Sequence, residues 1–419
     1  MHDFQYKGNQ LYCEDVSIGG LAKDVGTPFY LYSYTTIKNH FRAFNSAFSN
    51  IPHLVCFAVK ANSNIALLRI FVEEGGGFDI VSGGELYRAL LAGADPQKIV
   101  YTGVGKTEEE IVYALKSNIL MLNVESTQEL FSIDRAAEET GIKAKVALRV
   151  NPDIDAKTHP YISTGLKTHK FGISMTDALE GYRLAQSLKN IEVVGIHKHI
   201  GSQITHIRPF VDALERIVAM IDILKREGLN IRYLDIGGGL GITYKDESPP
   251  HPKELAEEIV PILKGTGCTI IFEPGRVIVG NAGILVTKVL YTKQSEGKNF
   301  MIVDAAMNDL VRPSLYGSYH SILPVSKNSD DHKIVTDVVG PICESGDFLA
   351  KDRVLPDFKK DSLAAVMSAG AYGFTMSSNY NSRPRVSEIL VKGNKYFMIR
   401  RRENYEDLVR GEEIPVFMK

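Results

Sequence analysis

His53-Leu54-Val55-Cys56-Phe57-Ala58-Val59 is apolar from Leu54 to its end. A strand wetted on one face alternates polar and apolar side chains. An unbroken apolar run instead fits a parallel strand covered on both faces. Seven further β-rich runs follow, over residues 78–81, 98–102, 119–123, 145–150, 193–199, 231–236 and 269–273. The segments between them carry helical signals. Residues 64–75 place Ile65, Leu68 and Val72 on one face, and Thr107-Glu108-Glu109-Glu110 has the form of a capping box with acids in the first turn. Residues 210–228 close on Gly228, which suits a helix end. Eight strands alternating with helices predict an α/β fold, a (β/α)8 TIM-like barrel over residues 34–278. A doubly wound sheet competes with that reading, but more often has fewer strands.

After about residue 280 the texture changes. Strand-like runs at 283–292, 299–304, 333–339, 362–368, 385–392 and 395–400 succeed one another with only turns between, and Lys392-Gly393-Asn394-Lys395 is a hairpin signal. This predicts a mainly antiparallel β domain over 279–419, joined by residues 1–33 through the strand-like Phe29-Tyr30-Leu31-Tyr32.

Composition narrows the function classes. The chain of 419 residues has 48 Lys+Arg against 50 Asp+Glu, a net charge of −2, where a nucleic-acid binder usually shows a basic excess. An apolar fraction of 44% with 23% charged residues is that of an ordinary globular protein. No apolar run reaches the roughly 18 residues of a membrane span, and the first residues lack a secretory pattern. Cys13, Cys56, Cys268 and Cys343 match no disulfide or zinc spacing, so reduced thiols in a cytoplasmic protein are expected.

In a barrel of this kind chemistry sits at the C-terminal strand ends. The first run ends at Lys60, whose amine would meet a dry wall; desolvation there favours a nucleophile able to form a Schiff base, whereas an ordinary strand-end lysine reaches for solvent. The sixth ends in His197-Lys198-His199-Ile200-Gly201-Ser202. Its two histidines could bind a metal, but no other strand end offers a clear His, so a ring stacked on a flat cofactor reads better; a hydrogen-bonded core histidine is as common. The seventh runs into Gly237-Gly238-Gly239, where bare backbone N–H groups can converge on a phosphate. The eighth ends in Glu273-Pro274-Gly275-Arg276. A carboxylate on an apolar strand needs a cationic or donor partner, which a ring nitrogen or Arg276 itself could provide. Arg276 also suits a phosphate or carboxylate clamp. Together these are the parts that pyridoxal 5'-phosphate requires, and no metal is expected.

These motifs resemble those of the fold-type III pyridoxal-phosphate decarboxylases, which include ornithine, arginine and diaminopimelate decarboxylases. The resemblance spans nearly the whole chain and is greatest to the diaminopimelate group. It implies that Lys60 holds the cofactor, that His199 stacks on its ring, and that Ser202, Gly238, Gly239, Gly275 and Arg276 serve its phosphate. Glu273 would pair with the ring nitrogen, Asp79 would play a supporting role, and Tyr372, in Gly370-Ala371-Tyr372-Gly373, would reach phosphate and substrate. Arg312-Pro313-Ser314-Leu315-Tyr316 and Cys343-Glu344 look like the diaminopimelate forms. A distal ammonium and carboxylate need an anion and cations together, here Glu344 with Arg312 and Arg276, and Tyr316 joins the substrate side. The resemblance further implies that Lys60, Cys343 and His199 are catalytic, with Cys343 the proton donor, and that Cys343 and Glu344 complete the neighbouring subunit's site in a homodimer. Lys198 departs from the family's small residue and is expected on the opposite strand face. The expected reaction converts meso-2,6-diaminopimelate to L-lysine and carbon dioxide. Rival readings are decarboxylation of arginine, ornithine or carboxynorspermidine, a non-catalytic homologue that binds a partner, and a metal-dependent hydrolase built on His197 and His199.

Overall fold

The computed structural model describes residues 2–154, 170–327 and 332–419. The chain forms two compact units, one running to Ile37 and resuming over Val279–Lys419, the other spanning Lys38–Ile278. The second unit is a parallel barrel. Its strands are His53–Ala58, Gly77–Ile80, Ile99–Tyr101, Met121–Val124, Ala144–Asn151, Ile191–His197, Tyr233–Asp235 and Thr269–Phe272. The eighth pairs with the first, and the fourth with the fifth, which closes the ring. Ile173–Ser174 adds a short parallel partner to the fifth strand.

Local chemistry sets the helices between them. Asn64 caps Ile65–Glu73 by accepting from the Ala66 N–H. Thr107 and Glu110 form the expected reciprocal capping box at Glu108–Lys116. Arg208–Arg226 closes through Gly228, which takes a positive φ of 84°.

The barrel interior is layered. Cys56, Val100, Leu120, Met121, Ala147, Val194 and Ile271 pack into an apolar floor. Two residues further along four of those strands the same inward face turns polar, at Thr102, Asn123, Arg149 and Glu273. The sixth strand reaches this level through a register shift between Val193 and Gly195, so His197 stands three residues beyond Val194.

The other unit carries a nine-stranded sheet. Along its main path lie Phe348–Pro356, Lys333–Val339, Lys298–Val303, Gly283–Ser295, Phe29–Ser33, Ser387–Lys392 and Lys395–Arg400. Leu363–Val366 and Ile322–Pro324 pair off that path. Most pairings are antiparallel, but Lys298–Val303 with Lys333–Val339, and Phe29–Ser33 with Ser387–Lys392, run parallel. Phe29–Ser33 thus carries the N-terminal segment into the C-terminal sheet. Its Phe29 and Leu31 pack with Ile284, Val286, Ile389 and Val391 in one core.

Candidate active site

The polar level of the barrel begins at its first strand. Register pairs Ala58 with Asp79, and the chain then tightens into the short 3-10 helix Val59–Ala61, which carries Lys60 past the strand end. There Lys60 Nζ lies 2.5 Å from Asp79 Oδ2. The Asp79 side chain is fully buried while Lys60 keeps about a third of its exposure. Burial, then repulsion from Glu273, pushes the Asp79 carboxyl up to about 7, against the pull of Lys60. The residue given only a supporting role is therefore the direct ion partner of the candidate nucleophile.

Glu273 follows the eighth strand and accepts from Thr102 Oγ1 at 3.3 Å. His197 Nε2 stands 3.7 Å from its Oε1. Burial alone would raise this carboxyl. His197, then Lys60 and His199, outweigh burial and hold it well below the usual carboxylate range. Burial lowers the His197 ring pKa while Glu273 pulls the other way. The sixth strand ends at His197, so His199 lies beyond the strand end. Gly238 N–H donates to His199 Nδ1 at 3.3 Å. Loss of solvation, then Arg149, keeps His199 well below its ordinary value.

The glycine triplet is a cradle that side chains would fill. A Cβ on Gly238 would stand 2.2 Å from the Glu273 carbonyl oxygen. One on Gly237, at φ +68°, would stand 2.7 Å from the Lys198 carbonyl oxygen. Beside this bare backbone Arg276 Nη2 donates to Ser202 Oγ at 2.8 Å, and Nη1 to Tyr244 Oη at 3.3 Å and Gln203 Oε1 at 3.4 Å. Gly275 links Arg276 to the eighth strand. An amine, an ionised buried carboxylate and an anion cradle around one barrel end fit a flat group with a basic ring nitrogen and a phosphate. Pyridoxal 5'-phosphate has that chemistry.

Arg312, Tyr316, Cys343, Glu344 and Tyr372 belong to the β unit. Arg312 is buried at the start of the helix Arg312–Tyr316. His320 Nδ1 faces the Met367 carbonyl at 2.8 Å, which leaves Nε2 to accept from Arg312 Nη1 at 3.1 Å. Ser314 Oγ donates to the Gly346 carbonyl at 2.6 Å, tying this helix to the loop that carries Cys343 and Glu344. Cys343 is exposed, and its N–H donates to Asn381 Oδ1 at 2.9 Å. Glu344 Oε2 accepts from Tyr380 Oη at 2.8 Å. Asp347 pins the loop from inside by accepting from Met307 and Ile342 N–H groups, each at 2.7 Å. Tyr372 adopts φ +57°, a left-handed backbone uncommon for an aromatic residue and found more often at functional positions.

Sequence reasoning passed over Thr102, Asn123, Asp235, Gln203 and Tyr244. The first three carry a readable signal, a polar side chain two residues beyond an inward apolar one. Gln203 and Tyr244 lie in loops and carry none. Lys198 is fully buried, with Nζ 5.5 Å from the Phe210 ring centroid. Burial pushes its pKa down to about 8 against Asp235 and Glu273.

Residues 34–280 match the family model for the pyridoxal-dependent decarboxylase, pyridoxal binding domain. The chain is 52% identical to a diaminopimelate decarboxylase of Vibrio cholerae over 99% of both proteins. It is 51% identical to that of Pseudomonas aeruginosa, again over 99% of both. Among solved structures, diaminopimelate decarboxylase from Helicobacter pylori complexed with L-lysine has a TM-score of 0.91 and 45% identity, covering 94% of this chain and 98% of that one. The M. jannaschii enzyme in co-complex with L-lysine reaches 0.94 at 37% identity, with 99% of each chain covered.

Proposed function

The chain belongs to the pyridoxal-dependent decarboxylases, and from that premise we propose that it converts meso-2,6-diaminopimelate to L-lysine and carbon dioxide. One observation carries the chemistry: a buried Glu273 carboxyl beside His197, at the same barrel end as the Lys60 amine. The full-length likeness to diaminopimelate decarboxylases carries the substrate.

When bound, pyridoxal 5'-phosphate supplies an electron sink for the pair left behind as carbon dioxide departs. Lys60 would be the tether, and Asp79, 2.5 Å from its Nζ, would orient it. The N–H groups of the glycine triplet, with Ser202 and Arg276, would hold the phosphate. His199 supplies a neutral ring to lie against the cofactor, since a protonated one would repel a cationic ring. Glu273 accepts from the ring-nitrogen proton and keeps it in place. Cys343 delivers a proton to the carbon that lost its carboxylate. Glu344 meets the distal ammonium, Arg312 and Arg276 the distal carboxylate, and Tyr316 and Tyr372 line the substrate's path.

The same reading makes the protein a cytoplasmic homodimer whose Cys343 and Glu344 complete the partner's site. Among the described residues no helix is long and apolar enough to cross a membrane. The test is incubation of the purified holoenzyme with meso-diaminopimelate, scoring lysine and carbon dioxide against arginine, ornithine and carboxynorspermidine. Borohydride before digestion should leave the cofactor's mass on the peptide containing Lys60. Release of carbon dioxide only from another amino acid overturns the substrate; a label elsewhere overturns the tether.

A further inference from the structure

Asp235 ends the seventh barrel strand with no solvent exposure. Gly237 N–H donates to its Oδ1 at 3.0 Å, and Asn123 Nδ2 to its Oδ2 at 3.0 Å. One of its oxygens, one Glu273 oxygen and one His197 nitrogen all lie within 4.8 Å of one another. Two ionised carboxylates this close in a dry interior repel each other strongly unless a cation lies between them.

The charged groups around the pair are otherwise engaged. From the first strand's end, Lys60 pairs with Asp79 of the second at 2.5 Å. From the fifth, Arg149 pairs with Glu125 at 2.7 Å. Cys56, on the floor beneath, has its thiol pushed up by burial and then by Asp235 and Glu273. Lys198 Nζ makes no hydrogen bond among the described residues. His197 Nε2 stands 3.7 Å from Glu273 Oε1, its ring lowered by burial and raised by that acid. Two buried acids thus share a site in which Lys60 and Arg149 are already paired and Lys198, which feels both acids, hydrogen-bonds to neither.

We propose that Asp235 is a positioning residue: a neutral carboxylic acid that donates its proton to Glu273, so that the pair carries a single negative charge. Asp235 faces an acid that the neighbouring His197 favours in its ionised form. Burial, then the Glu273 charge, raises Asp235 well above the ordinary range, while Glu273 is held below it. The donated hydrogen bond turns Glu273 and stabilises its ionised form. Resting on the function proposed above, that one charge balances one ring-nitrogen proton. Through Gly237 N–H, Asp235 also ties the nitrogen end of the site to its phosphate loop.

The experiment is infrared difference spectroscopy of wild-type and Asp235→Asn holoenzyme in D2O at neutral pH. The wild type should show the carbonyl stretch of a protonated carboxyl, and Asp235→Asn should lose it. Turnover of Asp235→Asn should fall about tenfold with KM moving less than about threefold, and Asp235→Ala should fall at least about a hundredfold, because only asparagine can still donate to Glu273. A wild-type minus Asp235→Asn difference spectrum with no protonated-carboxyl band overturns the assignment. Should Asp235→Asn fail to fold, neutron diffraction from wild-type crystals decides: a deuteron on Asp235 toward Glu273 supports the proposal, and one on Glu273 or on neither overturns it. The band does not depend on which amino acid is turned over, so failure of the substrate assignment leaves this test intact.

Discussion

Asp309 is buried in the β unit, where its Oδ2 accepts from the Ala306 N–H at 3.0 Å and its Oδ1 from Asn308 Nδ2 at 3.3 Å. Burial, against those donors, pushes its carboxyl up to about 7. An unfolded aspartate titrates near about 4. Between those values the folded chain keeps a proton that the unfolded chain has released, so this group's contribution to stability falls as pH rises. It is fully present below about pH 4 and lost above about pH 7. Asp309→Asn removes the titration. Its melting temperature relative to wild type should therefore climb from pH 4 to pH 7, and a constant difference across that window would contradict the assignment. At this scale much of the candidate site is readable without coordinates. Lys60 and Glu273 each adjoin an apolar strand, and a charge in such a place needs a reason. Asp235 follows Leu234 in the same way, but its meaning depends on Glu273 lying on the neighbouring strand. Proximity across strands has no local signature.

The elements follow from patterns of short range. All eight barrel strands lie within two residues of the apolar runs that announce them, because a strand covered on both faces must be apolar throughout. Two strands of the nine-stranded sheet escape the pattern. Phe348–Pro356 contains Lys351-Asp352-Arg353, and Asp352 takes φ +49° where the register against Lys333–Val339 shifts. A bulge breaks the period-two alternation that marks a strand. Ile322–Pro324 has only three residues, too few to show a period. The layered barrel supports a prediction at this level. Ile271→Ala opens a void in the floor two residues before Glu273, and should cost about 2–5 kcal/mol of stability. The midpoint of urea denaturation should fall accordingly, and a loss under about 1 kcal/mol would show that the floor collapses to fill the space.

At the scale of the whole molecule the assembly can be tested with inactive subunits. Lys60→Ala and Cys343→Ala holoenzymes should each be nearly inert alone. If each site draws Lys60 from one subunit and Cys343 from the other, mixed dimers regain one intact site. Equal mixing should then restore about a quarter of wild-type activity, since about half the dimers are mixed and one of their two sites is whole. Mixtures no more active than their parts would confine each site to one subunit. The amino-acid sequence by itself determined the barrel, the β unit's main strands and the residue types at the strand ends, because apolar period, capping and glycine placement act over a few neighbours. Only the tertiary structure decided that Asp79 pairs with Lys60, that His197 rather than His199 stands by Glu273, and that Asp235 shares the Glu273 environment. Those are distances between strands far apart in the chain, and the protonation of a buried acid is set by what closure of the ring brings against it.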